Sequence, residues 1–214
     1  MAFPPTIGEA QRDRRPIPAR RTPWARALAG GLTRSAITPD QISLASVAFA
    51  AAGAAALVWL PGPLGDLVCS AAVGLRLLAN MLDGMVAVEG GKRSPWGALY
   101  NELPDRLSDS LFLVALGYAC GQSWLGWLGA LGAAFTAYLR ALGGSLGLPQ
   151  DFRGPLAKPQ RMAVLAAGCA LAAGEGLLRG TQHALLAAAV VIALGSFATC
   201  VTRTAALARA LGGR

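Results

Sequence analysis

The sequence has little of what a zinc site or a disulfide-linked domain needs. Its one histidine is His183, and its four cysteines stand alone in apolar surroundings: Cys69, Cys120, Cys169 and Cys200. No CxxC spacing occurs, and none of the cysteines has a neighbouring histidine. We therefore interpret the cysteines as small apolar residues of helices and expect no zinc coordination.

Charged residues are also scarce. Only 14% of the 214 residues are Asp, Glu, Lys or Arg, whereas 54% are hydrophobic, and a soluble domain usually has about 25% charged residues. The first forty residues are rich in Arg and Pro and lack an apolar core with a small-residue cleavage site, so we expect no secretory signal. The composition predicts one compact membrane domain.

Six apolar segments are long enough to cross a bilayer, which takes about 17–25 residues in a helix. Only Pro61, Gly62 and Pro63 separate the first two segments, which predicts a helix end followed by a tight reversal. We expect an all-α membrane protein, a bundle of six transmembrane helices. The predicted spans are 42–60, 64–88, 97–120, 124–147, 162–178 and 183–202.

Basic residues are concentrated on one side of these spans, whereas the opposite connections contribute only Arg179. By the positive-inside rule, both termini are cytoplasmic. Because topology accounts for the net charge of +8, we expect no nucleic-acid partner. The basic residues on the cytoplasmic side are Arg12, Arg14, Arg15, Arg20, Arg21, Arg26, Arg34, Lys92, Arg93, Arg153, Lys158, Arg161, Arg203, Arg209 and Arg214.

The segment before the first span is typical of a peripheral region. Trp24, Leu28 and Leu32 recur at helical spacing, with Arg26 and Arg34 elsewhere on the turn. This pattern predicts a short interfacial helix on an anionic membrane surface. We therefore expect residues 1–36 to form a cytoplasmic basic tail with a juxtamembrane amphipathic helix, and residues 37–214 to form the six-helix membrane domain.

Two polar stripes run along the second and third predicted spans. Within each stripe the members are three or four residues apart, so they share one helix face. The connecting turn is short and contains Gly90, Gly91 and Pro95, so the two helices run antiparallel and the stripes can meet. Polar side chains at membrane depth are usually functional. The second span contributes Arg76, Asn80, Asp83 and Ala87, and the third contributes Asn101, Asp105 and Asp109.

The carboxylates of the two stripes predict a metal site. Clustered carboxylates repel one another unless a cation shares the site. Oxygen ligands without His or Cys favour Mg²⁺ or Mn²⁺, and these ions also bind substrate phosphates. We therefore expect one or two such ions in a cleft open to the cytoplasm, and a phosphate or diphosphate substrate.

The spacing of these residues resembles the signature of the CDP-alcohol phosphatidyltransferase family. That signature reads Asp-x-x-Asp-Gly-x-x-Ala-Arg, eight further residues, then Gly-x-x-x-Asp-x-x-x-Asp. The stretch Ile-Thr-Pro-Asp-Gln-Ile-Ser at 37–43 is similar to the Thr-Pro-Asn-x-Ile-Thr that opens the first membrane helix in many members. The resemblance covers 37–161, most of the membrane domain. The residues that match the signature are Asp83, Gly84, Ala87, Gly97 and Asp105.

Three positions depart from the signature. Asn80 and Asn101 replace its first and third aspartates, and Val88 replaces its arginine. In the family those aspartates are metal ligands. An amide oxygen also binds Mg²⁺ or Mn²⁺, but each replacement removes a negative charge and should weaken the site. Asp109, one turn beyond Asp105, and Glu102 or Glu89 are candidate sources of the missing charge.

The resemblance implies an enzyme of phospholipid biosynthesis. Such an enzyme transfers a phosphatidyl group from CDP-diacylglycerol, or another CDP-alcohol, to the hydroxyl of a polar, phosphorylated acceptor and releases CMP. Asp105 matches the family's general base. The resemblance further implies metal binding by Asp83, Asp105, Asn80, Asn101 and Asp109, nucleotide binding by Gly84, Ala87 and Gly97, and acceptor-phosphate binding by Arg140, Lys158 and Arg161.

Each of these roles has a simpler alternative. Helix packing explains the three small residues as well as nucleotide access does. Positive-inside topology explains the basic residues.

Since relatives are commonly homodimers, we expect a homodimer, located in the bacterial inner membrane with its active site facing the cytoplasm.

Two other functions stay open at this stage. A catalytically inactive relative that binds a CDP-lipid or assembles with a partner enzyme would explain Asn80, Val88 and Asn101. A small transporter with an acidic cation path would explain polar groups in membrane helices. The transporter hypothesis does not account for the glycine spacing of the signature.

Overall fold

The computed structural model describes residues 18–92 and 94–213, and these residues form a short 3₁₀ helix and seven α-helices. They include no strand, so the predicted all-α class is confirmed. The first 17 residues of the predicted tail, Arg93 and Arg214 lie outside the described residues. The 3₁₀ helix spans Pro18–Arg21, and the α-helices are α1 (Pro23–Arg34), α2 (Pro39–Trp59), α3 (Pro63–Val88), α4 (Gly97–Ala119), α5 (Ser123–Ser145), α6 (Lys158–Arg179) and α7 (His183–Gly212).

Local sequence signals set the ends of α2 and the start of α3. The Thr38 side chain accepts a hydrogen bond from the Gln41 N–H, and the Gln41 side chain accepts one from the Thr38 N–H. This capping box satisfies two donors that the helix itself leaves unpaired. The predicted reversal between α2 and α3 is confirmed, and Gly62 adopts a φ of 100° there, a conformation that favours glycine.

Helices α2 to α7 pack as a closed ring in the order α3, α2, α4, α5, α7, α6, and α6 returns to α3. Helix α1 packs on α3, where Ala25 and Ala29 join an apolar cluster with Met85 and Val86. The helices alternate in direction, so the N-terminal ends of α2, α4 and α6 meet the C-terminal ends of α3, α5 and α7. We call this the site end of the bundle.

Five of the six long helices, α2, α3, α5, α6 and α7, are apolar and long enough to cross a membrane. The sequence predicts six spans, and the difference is α4. That helix has 23 residues but includes Glu102, Asp105, Arg106 and Asp109. On the outside of the bundle these helices expose many large apolar side chains, among them Leu44, Leu67, Leu131, Leu171 and Leu194, and a protein in water rarely exposes so much apolar surface. The chain is an integral membrane protein.

Small residues allow the closest helix contacts away from the site. A Cβ atom added to Gly117 of α4 would lie 2.6 Å from the Cα of Gly126 in α5, so the two backbones touch at this point. Such close crossings are characteristic of membrane helices, which have no hydrophobic drive to associate. Cys69 and Cys169 lie fully buried in the main apolar cluster. The bundle is therefore tightly packed below the site end.

Candidate active site

The two predicted stripes meet at Asp105 of α4. Arg76 of α3 donates to Asp105 Oδ1 at 3.0 Å, and the Asn80 amide donates to the same oxygen. Lys158, the first residue of α6, forms an ion pair with Oδ2, and the Arg106 guanidinium lies 3.8 Å from that oxygen. Side chains from α3 and α6 therefore hold both carboxylate oxygens of Asp105.

Asp83 of α3 lies beside this group. Its Oδ2 accepts a hydrogen bond of 2.7 Å from the Ser43 hydroxyl, so α2 forms another wall of the site. Asp105 and Lys158 lie near enough for their charges to interact electrostatically with the Asp83 carboxylate. Asp83 is 6% exposed and Asp105 is 8% exposed, so neither carboxylate is turned toward lipid. We call Ser43, Asn80, Asp83, Asp105 and Lys158 the outer layer of the site.

A second ionic group lies one helical turn deeper, and we call its members, Arg76, Asp109 and Arg161, the inner layer. Arg76 donates to Asp109 Oδ1 at 3.0 Å, and Arg161 donates to Asp109 Oδ2 at 3.1 Å. The two arginine side chains are fully buried, and the Asp109 side chain is 2% exposed. Buried charges persist only when they are paired in this way.

The inner layer contains two residues for which the sequence suggests ligand roles. Asp109 is a predicted metal ligand, and Arg161 is predicted to bind an acceptor phosphate. The structure brings these two residues to each other rather than to the outer layer. Arg161 also donates to the Leu156 carbonyl at 3.3 Å, which ties the start of α6 to the loop before it.

Arg140, the third basic residue predicted to bind acceptor phosphate, lies at the C-terminal end of α5. It forms an ion pair with Glu102 of α4 and donates to Gln150 Oε1 at 2.7 Å. Its guanidinium lies 5.7 Å from the ring centroid of Phe152, within cation–π range. Glu102 also lies 3.8 Å from Arg106, so the same acidic side chain pairs with both arginines.

The predicted nucleotide-binding residues lie along the same end of α3 and α4. Gly84, Ala87 and Gly97 are each half-buried, and Asn101 is exposed one turn before Asp105. A Cβ atom added to Gly97 would meet no atom within 4 Å. Packing therefore does not require glycine at position 97, and open space for a ligand adjoins the backbone there.

The donor set of the outer layer suits a hard divalent ion. Asp83 and Asp105 provide carboxylate oxygens and Asn80 provides an amide oxygen, all of which Mg²⁺ and Mn²⁺ accept as ligands. The amide of Asn101 lies outside this layer, one turn before Asp105 and exposed. Among residues 18–92 and 94–213, however, no three His, Cys, Asp or Glu side chains form a metal-binding group. The residues fit such an ion, but with less charge than the four aspartates of the signature provide.

Three site residues were not identified from the sequence: Ser43, Gln150 and Phe152. Ser43 is the last residue of the motif at 37–43. Its hydroxyl at the start of an apolar helix was the sequence signal that could have identified it. Gln150 and Phe152 lie in the irregular loop between α5 and α6, where no periodicity predicts the direction of a side chain.

Individual proteins, but no protein-family model, match this chain. An archaetidylinositol phosphate synthase from Aeropyrum pernix is 34% identical over 143 residues, which cover 66% of this chain and 72% of that protein. A phosphatidylinositol phosphate synthase from Streptomyces avermitilis is 29% identical over 221 residues, which cover 97% of this chain and 87% of the relative. The chain belongs to the CDP-alcohol phosphatidyltransferase family.

Solved structures share the fold of this phosphatidyltransferase. The phosphatidylinositol phosphate synthase of Mycobacterium tuberculosis in complex with manganese and citrate matches it with a TM-score of 0.73 at 24% identity, over 86% of this chain and 88% of that one. The structure of the same enzyme with CDP-DAG bound matches with a TM-score of 0.70 at 23% identity, over 86% of this chain and 92% of that one. The predicted family, enzyme class and reaction type, transfer from a CDP-linked lipid to an alcohol, are confirmed.

Proposed function

We propose that this phosphatidyltransferase moves the phosphatidyl group of CDP-diacylglycerol to a phosphorylated polyol, with inositol phosphate as the first candidate acceptor. The relatives from Streptomyces and Aeropyrum are named phosphatidylinositol phosphate synthase and archaetidylinositol phosphate synthase, and both names contain inositol phosphate, which supports this acceptor. The observation that carries the proposal is the outer layer, where carboxylates of α3 and α4 converge beside the cation of Lys158.

In the proposed reaction, Asp105 accepts the proton of the acceptor hydroxyl. The acceptor oxygen forms a bond to the phosphorus of the phosphatidyl group, the bond from that phosphorus to the CMP oxygen breaks, and CMP leaves with the electron pair. Asp83, Asp105 and the amides of Asn80 and Asn101 are the proposed ligands of Mg²⁺ or Mn²⁺. When bound, such an ion offsets the negative charge of the diphosphate.

The surrounding residues position these groups. Ser43 fixes the rotamer of Asp83 through its 2.7 Å hydrogen bond, and Arg76 holds Asp105 through a hydrogen bond of 3.0 Å. Preorganised side chains of this kind need little rearrangement during the reaction. The half-buried Gly84, Ala87 and Gly97 are the proposed nucleotide contacts, since their small size leaves the backbone accessible.

Arg140 is the residue that we propose for the acceptor's phosphate. Its side chain keeps 17% exposure, and guanidinium groups bind phosphate through two parallel hydrogen bonds. Lys158, whose side chain keeps 20% exposure beside Asp105, is the second candidate. For Arg161, whose side chain is fully buried against Asp109, we propose that it supports the acceptor site from below.

We further propose that α4 is a sixth span, because its charged residues find ionic partners, most of them within the bundle. Lys92, Arg153 and Lys158 lie at the site end and Arg179 at the other, which supports a cytoplasmic site and cytoplasmic termini in a bacterial inner membrane. A homodimer, and the division into 1–36 and 37–214, remain part of the proposal.

The test is CMP release by the purified chain supplied with CDP-diacylglycerol and Mn²⁺. The acceptor panel contains inositol phosphate, glycerol phosphate, free inositol and a blank. We expect CMP release with inositol phosphate above the blank and above free inositol, because only a phosphorylated acceptor can use Arg140. Release with glycerol phosphate alone would correct the acceptor, and no release with any acceptor would contradict the proposed activity.

A CDP-lipid-binding protein without turnover is the second candidate. It is favoured by one contact: Asn80, which replaces the first signature aspartate, donates a hydrogen bond to Asp105 instead of adding a negative charge. For such a protein, CDP-diacylglycerol would raise the melting temperature of the purified chain while no acceptor releases CMP.

A further inference from the structure

The oxygens of Asp105 are engaged by this chain's own donors. Asn80 and Arg76 donate to Oδ1, and the Lys158 ammonium pairs with Oδ2. Oδ2 is therefore in direct contact with a positive charge that belongs to the protein. In the family signature, position 80 is an aspartate, which could not donate this hydrogen bond.

The charges of the two layers balance without any added ion. Three carboxylates, Asp83, Asp105 and Asp109, are accompanied by three cationic side chains, Arg76, Lys158 and Arg161. The further cation near Asp105, Arg106, is balanced by Glu102. Aspartates at positions 80 and 101 would add two negative charges, which is the charge of one divalent cation. The two asparagines thus remove the electrostatic demand for one such ion.

The position of Lys158 in its helix supports a role at Asp105. It is the first residue of α6, and the first turn of α6 contains no acidic residue. A helix N-terminus carries partial positive charge, so a cation there destabilises the helix unless an anion compensates it. Both basic side chains of this turn point to carboxylates of α4: Lys158 to Asp105 and Arg161 to Asp109.

We infer that Lys158 is a resident cation that takes the place of a second divalent ion at Asp105 Oδ2, so that this chain binds a single divalent ion, toward Asp83. The inference rests on the proposed function for that remaining ion. It explains why Asn80, Asn101 and Lys158 occur together, because the ammonium provides positive charge where the asparagines have lowered the negative charge.

The experiment counts Mn²⁺ ions bound to the purified full chain by electron paramagnetic resonance and isothermal titration, with no substrate present. We expect one Mn²⁺ per chain. Lys158→Met should raise Mn²⁺ affinity by about tenfold or more, because a positive charge near the ion has been removed. Lys92→Met is the matched control, since Lys92 is the only other lysine in the chain and donates to the Ser35 and Ile37 carbonyls.

A second variant keeps Lys158 and restores the signature charges. Asn80→Asp combined with Asn101→Asp should bind a second Mn²⁺ and should make the melting temperature fall when EDTA is added. The inference is overturned if the unmodified chain binds two Mn²⁺ ions or none. It is also overturned if Lys158→Met binds Mn²⁺ as Lys92→Met does, or if the double variant still binds one ion.

These outcomes separate the inference from the proposed function. A chain that binds one Mn²⁺ and responds to Lys158→Met, but releases no CMP with any acceptor, would sustain the inference and contradict the activity. A chain that releases CMP and binds two Mn²⁺ ions would do the reverse.

Discussion

The outer and inner layers contain the same kinds of group, carboxylates paired with cations, but they differ in access. In the outer layer the Asp105 and Lys158 side chains keep 11% and 20% exposure, whereas in the inner layer both arginine side chains are fully buried. An accessible pair can exchange partners with a substrate. A buried pair cannot, because a charge left alone in the interior is strongly unfavourable. This difference supports our proposal that the residues at the mouth of the site carry out the chemistry and that those one turn deeper support the structure.

The strongest test of this comparison is Asp105→Asn. If Asp105 is the general base, the variant should lose about 10²- to 10⁴-fold in kcat, measured as CMP release with saturating CDP-diacylglycerol and acceptor. Its melting temperature should change little, because Lys158 can turn toward solvent and Arg76 keeps its ion pair with Asp109. Activity close to that of the unmodified chain would remove Asp105 from the proposed chemistry.

Asp109→Asn, in contrast, should lower the free energy of unfolding. Two buried guanidinium groups would lose their shared carboxylate, and breaking a buried ion pair destabilises a protein by about 3–5 kcal/mol. The free energy of unfolding in detergent micelles measures this effect. The control is Asp151→Asn, since Asp151 pairs with an exposed Arg153 in a loop and should matter little. Equal stability of the two variants would contradict a structural role for the inner layer.

Ser43→Ala should produce a smaller, catalytic effect. The variant removes the hydroxyl that holds Asp83, and a hydrogen bond to a charged group contributes about 1.5–3 kcal/mol. We expect kcat/KM to fall about tenfold or more, because about 1.4 kcal/mol corresponds to a factor of ten. Ser46→Ala is the control on the same helix, where the hydroxyl bonds only the Ser43 carbonyl. An effect shared by both variants would indicate a change in α2 rather than in Asp83.

Spacing within one helix was predictable from the sequence, and contacts between distant helices were not. The repeat of three and four residues placed Asn80 with Asp83 and Asp105 with Asp109 correctly on shared faces, because helix geometry fixes it. It did not show that Asp109 faces Arg161, which lies 52 residues further along the chain. Partners at that separation depend on the order of helices around the ring, which hydropathy does not encode.

The hydropathy signal sets one helix apart. The sequence predicts six spans, and the charges of α4 distinguish that helix from the five apolar ones. Those charges are accommodated by tertiary pairing with Arg76, Arg140, Lys158 and Arg161. The residues that make α4 a poor membrane helix by composition are the residues that build the site.

The smallest predicted effect concerns the rim of the outer layer, where the Glu102 carboxylate forms an ion pair with the Arg140 guanidinium. Glu102→Gln keeps the shape of the side chain but removes its charge, so Arg140 should become more available to an acceptor's phosphate. We expect the KM for a phosphorylated acceptor to fall about threefold, with the KM for CDP-diacylglycerol unchanged, since an exposed ion pair contributes only about 0.2–1 kcal/mol. Glu89→Gln, an exposed acid at the end of α3, is the control for charge alone. If both variants lower the KM equally, general electrostatic attraction accounts for the effect, and Glu102 does not compete with the acceptor for Arg140.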